Sequence, residues 1–122
     1  MKTNIKKVIL DKKQEYYFTS SDNIDEIAGK LNSGVDIIIF NPIYDDSKNI
    51  TIARQIRQLC SILDKLFVVQ QRADLVEICD ADGIYLKHDD MTIQNAKKIL
   101  HDNIFFITSY DSNESDKIIK DK

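Results

Sequence analysis

The residues best suited to chemistry are cations and carboxylates that follow two predicted strands. Arg72 comes directly after the apolar segment Leu66–Val69, and Asp74 lies two positions later. A Lys-His-Asp-Asp run at 87–90 follows the second apolar segment, Gly83–Leu86. A guanidinium suits phosphate groups, and carboxylate oxygens suit hard cations such as Mg²⁺. The pattern therefore indicates a candidate anion site at Arg72 and a candidate metal site at 87–90.

Each assignment has a simpler alternative. Arg72 could form an ion pair with Asp74 or Asp90 instead of binding an anion. Adjacent residues rarely all point at one ion, and acidic loops after strands are usually solvated, so Asp90 is the best single metal candidate. His101 is expected at the C-terminal end of a helix, where its charge is favourable. We favour the ion pair and the solvated loop.

The elements that position these residues alternate between strand and helix. Short apolar or aromatic runs predict five strands, at 15–19, 35–40, 66–70, 83–87 and 104–108. Apolar residues at helical spacing predict the intervening helices, with Ser21 or Asp22 as one N-cap, Thr92 as another, and Gly34 as a stop. This order implies parallel strands with right-handed crossovers.

Composition bounds the class of protein. The chain has 122 residues, a net charge of -3 and 43% hydrophobic residues, which suits a single globular domain. The charge gives no reason to expect nucleic acid as a partner, and no apolar run approaches the ~18 residues that suggest a membrane span. The apolar run Val8–Leu10 is too short for a signal peptide, so the expected compartment is the cytoplasm. Cys60 and Cys79 are expected to be buried free thiols.

Both termini are less regular than the centre. Residues 1–13 are rich in lysine and are expected to form a basic arm, or a short strand around Ile5–Leu10. Residues 112–122 form a polar tail, and the stretch Asp111–Lys122 is expected to hold one frayed helix. We assign residues 1–122 to a single domain.

The segment Leu66–Asp90 carries a specific arrangement: a strand, an Arg, a short helix with an Asp, and then Ala-Asp-Gly-Ile-Tyr-Leu. It resembles the thiamine phosphate synthase and thiazole tautomerase (TenI-like) superfamily, which has Asn-Asp-Arg after the strand and then Ala-Asp-Gly-Val-His-Leu-Gly-Gln-x-Asp. The resemblance includes Gly34–Ile38 and Ile104–Asp111, and covers about Tyr16–Ser115. It implies a (β/α)₈ barrel with its site at the C-terminal strand ends. The reaction it implies joins a pyrimidine pyrophosphate to a thiazole phosphate with Mg²⁺, releasing pyrophosphate.

Some site positions match the family. Arg72 stands at the Arg of Asn-Asp-Arg, and Thr108 keeps a hydroxyl where the family has Ser, so the resemblance implies that both bind phosphate. Asp90 stands at a magnesium ligand of the family, which makes Mg²⁺ the expected cofactor. Asp74 and the Asp82-Gly83 pair also match, as a helix start and as a tight approach into a strand.

Most other site positions depart from the family pattern. At the family's Gln, Arg and Lys positions this chain has Ile39, Asn41 and Ile43, and at its Asn and Asp positions it has Gln70 and Gln71. At the His, Gly and Gln positions it has Tyr85, Lys87 and His88, and at the last His position it has Tyr110. Two cations and one anion thus become neutral side chains. Each charge-assisted contact to a phosphate contributes about 1.5–3 kcal/mol, so their loss would weaken transition-state binding by orders of magnitude.

The length of the chain accommodates about five β-α units, whereas such a barrel typically needs ~250 residues. We therefore predict an α/β fold that is a partial (β/α) TIM-barrel-like domain with about five parallel strands in sequential order. The alternative is a flavodoxin-like open sheet with strand order 2-1-3-4-5. An open arc would leave the apolar strand Ile104–Ile107 as a bare edge. The N-terminal arm, the C-terminal helix, a homo-oligomer or a partner chain is expected to cover it.

The predicted function is that of a thiamine phosphate synthase-like protein related to thiamine biosynthesis, with degraded or absent catalytic activity. A phosphorylated thiamine precursor is its expected ligand. The alternative is a non-enzymatic interaction or regulatory module on a truncated barrel scaffold. A receiver-like signalling function is rejected, because the third strand ends in Gln70-Gln71 and not in the Asp that phosphorylation requires.

Overall fold

The fold is an alternation of strands and helices in a computed structural model that describes residues 15–87, 91–100, 103–109 and 117–119. In chain order the elements are β1 (Tyr16–Thr19), α1 (Ile24–Asn32), β2 (Ile37–Phe40), α2 (Asp46–Leu63), β3 (Leu66–Gln70), α3 (Ala73–Ile78), β4 (Gly83–Lys87), α4 (Ile93–Lys97), β5 (Phe105–Ser109) and β6 (Lys117–Ile119). All five predicted strands are present, each within two residues of its predicted bounds. The expected arm at residues 1–13 lies outside the described residues.

The strands form one sheet in the order β1-β2-β3-β4-β5-β6. The first five are parallel to their neighbours, and β6 runs antiparallel to β5. The sequential order confirms the predicted barrel segment, and the flavodoxin-like alternative is wrong because it would place β1 between β2 and β3. The sheet is not closed: β1 and β6 are its two ends among the described strands.

The sheet separates two apolar layers. One face packs against the helices, and its buried cluster includes Phe67 and Phe106 from the strands and Ile27 and Ile56 from the helices. The opposite, concave face holds Ile37, Ile39, Leu66, Val68, Tyr85, Phe105 and Ile107, none of which is more than 7% exposed. The apolar strand faces of the open arc are therefore not left bare.

Curvature of the sheet is evident from one ring contact. Phe18 on β1 and Tyr85 on β4 have ring centroids 5.1 Å apart. Neighbouring strands lie about 4.8 Å apart, so in a flat sheet these two strands would be separated by roughly 14 Å. The sheet therefore bends toward its concave face and brings the two rings together.

The C-terminal segment differs from the prediction. Residues 117–119 were expected within a frayed helix and instead form β6, in register with Phe106 through Thr108 of β5. Backbone groups on the outer side of β5 need hydrogen-bond partners, and the β-branched pair Ile118-Ile119 is suited to a strand. The apolar edge of β5 is thus covered by the chain itself, which removes that reason for expecting a partner chain.

Helix caps follow the predicted chemistry with one change of position. The N-cap of α1 is Asn23, not Ser21 or Asp22, because the Asn23 side chain accepts a hydrogen bond of 3.3 Å from the Glu26 N–H. Ser21 instead supports the cap, accepting the Asn23 N–H at 3.0 Å. Thr92 caps α4 as predicted.

The N-terminal ends of β3 and β4 are fastened to α2 by one buried carboxylate. Asp82 is 1% exposed and accepts hydrogen bonds from the Phe67 N–H at 2.9 Å and from Arg57 at 3.0 Å. Arg57 also donates to the Asp80 carbonyl at 3.0 Å. A buried charge is tolerated only when it is paired in this way. The structural role expected for Asp82 is confirmed.

The two cysteines lie in the helix-facing core. Cys60 and Cys79 are buried free thiols, as predicted, and burial raises the pKa of Cys60 to about 12. Within the described ranges, no helix has the length and apolar character needed to cross a membrane.

Replacement by alanine should change the free energy of unfolding in opposite directions at two glycines, Gly83 and Gly29. A Cβ at Gly83 would lie 2.7 Å from the Phe105 carbonyl oxygen, so we expect Gly83→Ala to lower the free energy of unfolding by about 1–3 kcal/mol. Gly29 lies exposed in α1 with no atom within 4 Å of an added Cβ, so Gly29→Ala should raise it by about 0.5–1 kcal/mol. Urea unfolding of both variants would measure this, and an unchanged Gly83→Ala midpoint would contradict the close approach.

Loosening β6 should promote association through β5. The Phe105 N–H donates to the Asp82 carbonyl on the β4 side. Backbone N–H and C=O groups of successive strand residues point to opposite sides, so those of Phe106 face β6 and pair with Ile119. By the same alternation, the Ile118 N–H points away from β5. Ile119→Pro should therefore break the ladder and raise the average mass in sedimentation velocity at micromolar concentration. Ile118→Pro is the matched control and should sediment like the parent. Equal masses for all three proteins would contradict the capping role.

Candidate functional site

The candidate site lies where the carboxyl ends of the parallel strands meet, which is where such folds place their ligands. In-strand alternation puts Gln70 and Lys87 on the concave side, together with Tyr85. Thr108 pairs in register with Leu86, a residue of the helix-facing core, and so projects toward the helices. Its hydroxyl is buried without a hydrogen-bond partner among the residues that the structure describes.

Arg72 is the N-cap residue of α3, and its guanidinium is held by two carboxylates. Its Nε and Nη2 donate to Asp74 at 2.9 and 2.8 Å, and Nη2 also donates to Asp46 at 3.2 Å. The hydrogen bond with Asp74 raises the pKa of Arg72 and lowers the pKa of Asp74. The ion pair expected with Asp74 is confirmed. Asp46 was missed, because nothing local in the sequence links residues 26 positions apart.

Two loops at this edge are fastened to each other by residues that sequence reasoning also missed. Asn49 is fully buried; it accepts the Tyr44 N–H at 3.1 Å and donates to the Tyr44 carbonyl at 2.8 Å. The Tyr44 hydroxyl donates to the Ser20 carbonyl at 2.7 Å, which joins the loop after β2 to the loop after β1. The available signal was a polar residue one helical turn before Ile52, at helical spacing from the apolar residues of α2.

The concave side of the site carries a pair of aromatic rings. Phe18 and Tyr85 form an edge-to-face pair with an interplanar angle of 78°. Ile39, the register partner of Phe18, is fully buried, and Gln70 is the register partner of Tyr85. Of these four residues, Phe18 is 46% exposed, whereas the other three are at most 8% exposed.

Comparison with known proteins places these features in a family. A family model described as thiamine monophosphate synthase matches residues 8–121. The chain belongs to this family. The resemblance inferred from Leu66–Asp90 is thereby confirmed, and the protein is thiamine phosphate synthase-like.

Individual relatives agree with this assignment. The chain is 38% identical over 88 residues to the thiamine-phosphate synthase of Nostoc punctiforme, covering 70% of this chain and 25% of that protein. It is 32% identical over 108 residues to that of Methanococcus maripaludis, covering 85% and 52%. A solved thiamine phosphate pyrophosphorylase from Pyrococcus furiosus superposes with a TM-score of 0.70 at 27% identity, covering 78% of this chain and 48% of that one. The matches thus span between a quarter and about half of each relative.

By resemblance, the two positions that carry magnesium ligands in the family are occupied here by Gln71 and Asp90. Among the described residues, no group of three or more His, Cys, Asp or Glu side chains could hold a metal ion. Gln71 offers a neutral amide at the position of one family carboxylate. Asp90 lies with His88 and Asp89 outside the described ranges, as does His101, so the metal assignment stays a prediction.

Gln71 also has an unusual backbone for its residue type. Its φ is 72°, in the left-handed region, and its N–H donates to the Tyr85 carbonyl at 2.8 Å. Asp and Asn adopt this conformation more readily than Gln. The family's Asp at this position would therefore fit the same backbone with less strain.

The Arg72–Asp74 pair should make stability depend on acidity. The pKa of Asp74 is lower in the folded chain than its value of about 4 in the unfolded chain. The ionised carboxylate therefore stabilises the fold fully at a pH above the unfolded pKa. This stabilisation is lost as the pH falls through the folded pKa. Arg72 is 34% and Asp74 55% exposed, so solvent screening limits the contribution to below about 1 kcal/mol. Asp74→Asn should reduce the loss of stability between pH 7 and pH 3 in urea unfolding.

The control for this measurement is Asp64→Asn, at the exposed left-handed C-cap of α2, where Asn is equally suited to the backbone. The Asp64 variant should keep the parent's acid dependence. If Asp74→Asn kept it as well, the ion pair would make no contribution to stability.

Proposed function

We propose that this thiamine phosphate synthase-like chain has, by itself, little or no capacity to form thiamine phosphate. The observation that carries the proposal is the engagement of Arg72 by Asp74 and Asp46. A departing pyrophosphate needs cations and hydrogen-bond donors directed at its oxygens. At this strand end two of the three guanidinium nitrogens, Nε and Nη2, already donate to carboxylates.

The charge balance around Arg72 supports the same proposal. One guanidinium and two carboxylates sum to a net charge of -1, which repels a phosphate group. If a phosphate displaced Asp74, Arg72 would lose the bidentate hydrogen bonds that it now makes with that carboxylate. Binding of an anion here would therefore exchange one charge-assisted contact for another with little net gain.

The end of the neighbouring strand β2 lacks the two cations that the family has there. By resemblance, Asn41 and Ile43 stand where the family has Arg and Lys, and Ile43 is exposed to solvent. Two missing contacts at about 1.5–3 kcal/mol each correspond to a loss of rate on the order of 10²–10⁴.

Arg72, Thr108 and Asp90 remain the residues through which residual binding would act. We assign Arg72 and Thr108 to the phosphate of a phosphorylated thiamine precursor and Asp90 to Mg²⁺. The unpartnered hydroxyl of Thr108 supports its part in this assignment. We also propose a cytoplasmic location. Any association with a second copy or another chain would not pair directly with β5, because β6 occupies the edge of β5.

The decisive experiment is an assay of product formation. The full chain would be incubated with the pyrimidine pyrophosphate, the thiazole phosphate and Mg²⁺, and thiamine phosphate measured by fluorescence after oxidation. The thiamine-phosphate synthase of Methanococcus maripaludis is the positive control. We expect turnover at least about 10²-fold below that control. Comparable turnover that is abolished in Arg72→Gln or Asp90→Asn would refute the proposal and also the alternative of a non-enzymatic module.

A restored variant tests whether the departures cause the loss. Gln71→Asp combined with Asn41→Arg and Ile43→Lys returns the family's charges, and Asp suits the left-handed backbone of residue 71. We expect this variant to exceed the parent in thiamine phosphate formation. No gain, in a variant that remains folded by circular dichroism, would favour the non-enzymatic module instead.

A further inference from the structure

We propose that Asp46 keeps phosphate groups away from Arg72, because its carboxylate occupies the edge of the guanidinium that an oxyanion would need. The inference rests on the proposed function and deepens it. It names the one residue that prevents the retained Arg of the family motif from serving an anion. Asp46 is thus a specificity-determining residue that acts against phosphate.

The guanidinium of Arg72 has two edges that can each hold an oxyanion by a pair of hydrogen bonds. One edge presents Nε and Nη2, and the other presents Nη1 and Nη2. Asp74 takes the first edge, because it accepts from Nε at 2.9 Å and from Nη2 at 2.8 Å. The pair with Asp74 alone would therefore leave the Nη1–Nη2 edge accessible.

Asp46 contacts the Nη1–Nη2 edge. Its Oδ1 accepts a hydrogen bond from Nη2 of Arg72 at 3.2 Å. Nη2 carries two hydrogens, and since one is directed to Asp74, the other serves Asp46. Among the described residues, Nη1 has no hydrogen-bond partner. A phosphate would reach Nη1 alone and would lose the bidentate geometry that makes Arg effective in phosphate recognition.

The two carboxylates have different standing in the sequence. Arg72 and Asp74 both match the family pattern, so the pair between them does not set this chain apart. Asp46 lies outside the motifs that carry the resemblance. It is the first residue of α2, whereas Arg72 is the N-cap residue of α3, so the contact joins two neighbouring loops. The feature that calls for a separate explanation is therefore the contact with Asp46.

The fold itself does not need the Asp46 carboxylate. The side chain is 75% exposed, and within the part of the chain that the structure describes Arg72 is its one polar partner. Asp45, by contrast, caps α2 by accepting the Lys48 N–H at 2.9 Å. Exposed ion pairs contribute little to stability, because water solvates both charges well. Replacement of Asp46 should thus leave the chain folded.

The charge of Asp46 adds to the effect of its position. A phosphate at the Nη1–Nη2 edge would place its oxygens beside the Asp46 carboxylate, and like charges in contact repel each other even in water. The repulsion grows with the charge of the ligand, so it opposes pyrophosphate more strongly than phosphate. A neutral residue at position 46 would remove both a competing acceptor and a repelling charge.

Anion titrations on the full chain test the inference. Pyrophosphate or inorganic phosphate is added without Mg²⁺ at constant ionic strength, and the backbone amides of Arg72, Ala73 and Asp74 are followed by NMR. We expect the parent to bind pyrophosphate with a dissociation constant above about 5 mM. Asp46→Asn should bind it about five- to twentyfold more tightly, with a smaller gain for phosphate.

Two further variants separate the contact from the charge. Asp45→Asn removes the same charge one residue away and keeps a side chain that caps α2, so its gain should stay below about twofold. Asp46→Glu keeps a carboxylate within reach of Arg72 and should bind pyrophosphate as weakly as the parent. Dispersed amide spectra and urea midpoints close to that of the parent establish that each variant is folded.

Three results would overturn the inference. They are a gain in Asp46→Asn below about threefold, a gain in Asp45→Asn of equal size, and a gain in Asp46→Glu as large as that in Asp46→Asn. The product assay decides the proposed function separately. Vigorous turnover by the parent would refute that proposal whatever the titrations give, and an absent gain in Asp46→Asn would refute this one even with no turnover.

Discussion

Sequential pairing of five parallel strands is the constraint on which the rest of the structure depends. Parallel pairing places every carboxyl end on one edge of the sheet, so residues far apart in sequence meet there. This is how the Ser20 carbonyl comes within reach of the Tyr44 hydroxyl, and how Asp46 comes within reach of Arg72. The same pairing bends the sheet and brings rings from β1 and β4 into contact across its concave face.

Sequence reasoning succeeded where the signal was local. Buried strands appear as short apolar runs, and the pairing of Arg72 with Asp74 is available to residues two positions apart. It failed for Asp46 and Asn49, whose roles depend on contacts that exist only once neighbouring strand ends are adjacent. It also failed for β6, because two isoleucines in a polar tail show no strand periodicity. What favours a strand there is the row of backbone groups on the edge of β5 that need hydrogen-bond partners.

The amino ends and the carboxyl ends of the parallel strands have diverged to different extents from the family pattern. At the amino end, Asp82 holds Arg57 and the Phe67 N–H, and Gly83 permits the close approach of Phe105, so both matching residues are needed for packing. At the carboxyl end, replacement of charged side chains leaves the strands themselves intact. Packing requirements thus preserve a recognisable sequence around Ala81–Leu86 even where the chemistry of the opposite end has changed.

The direction of β6 follows from the length of the segment that precedes it. Only residues 110–116 separate Ser109 from Lys117, whereas a crossover between parallel strands needs about a dozen residues or more. A strand that follows β5 so soon must return antiparallel, as in a hairpin. Lengthening of this connection, rather than substitution within β6, would therefore be the change that allows a further strand to join β5 in the parallel direction that a barrel requires.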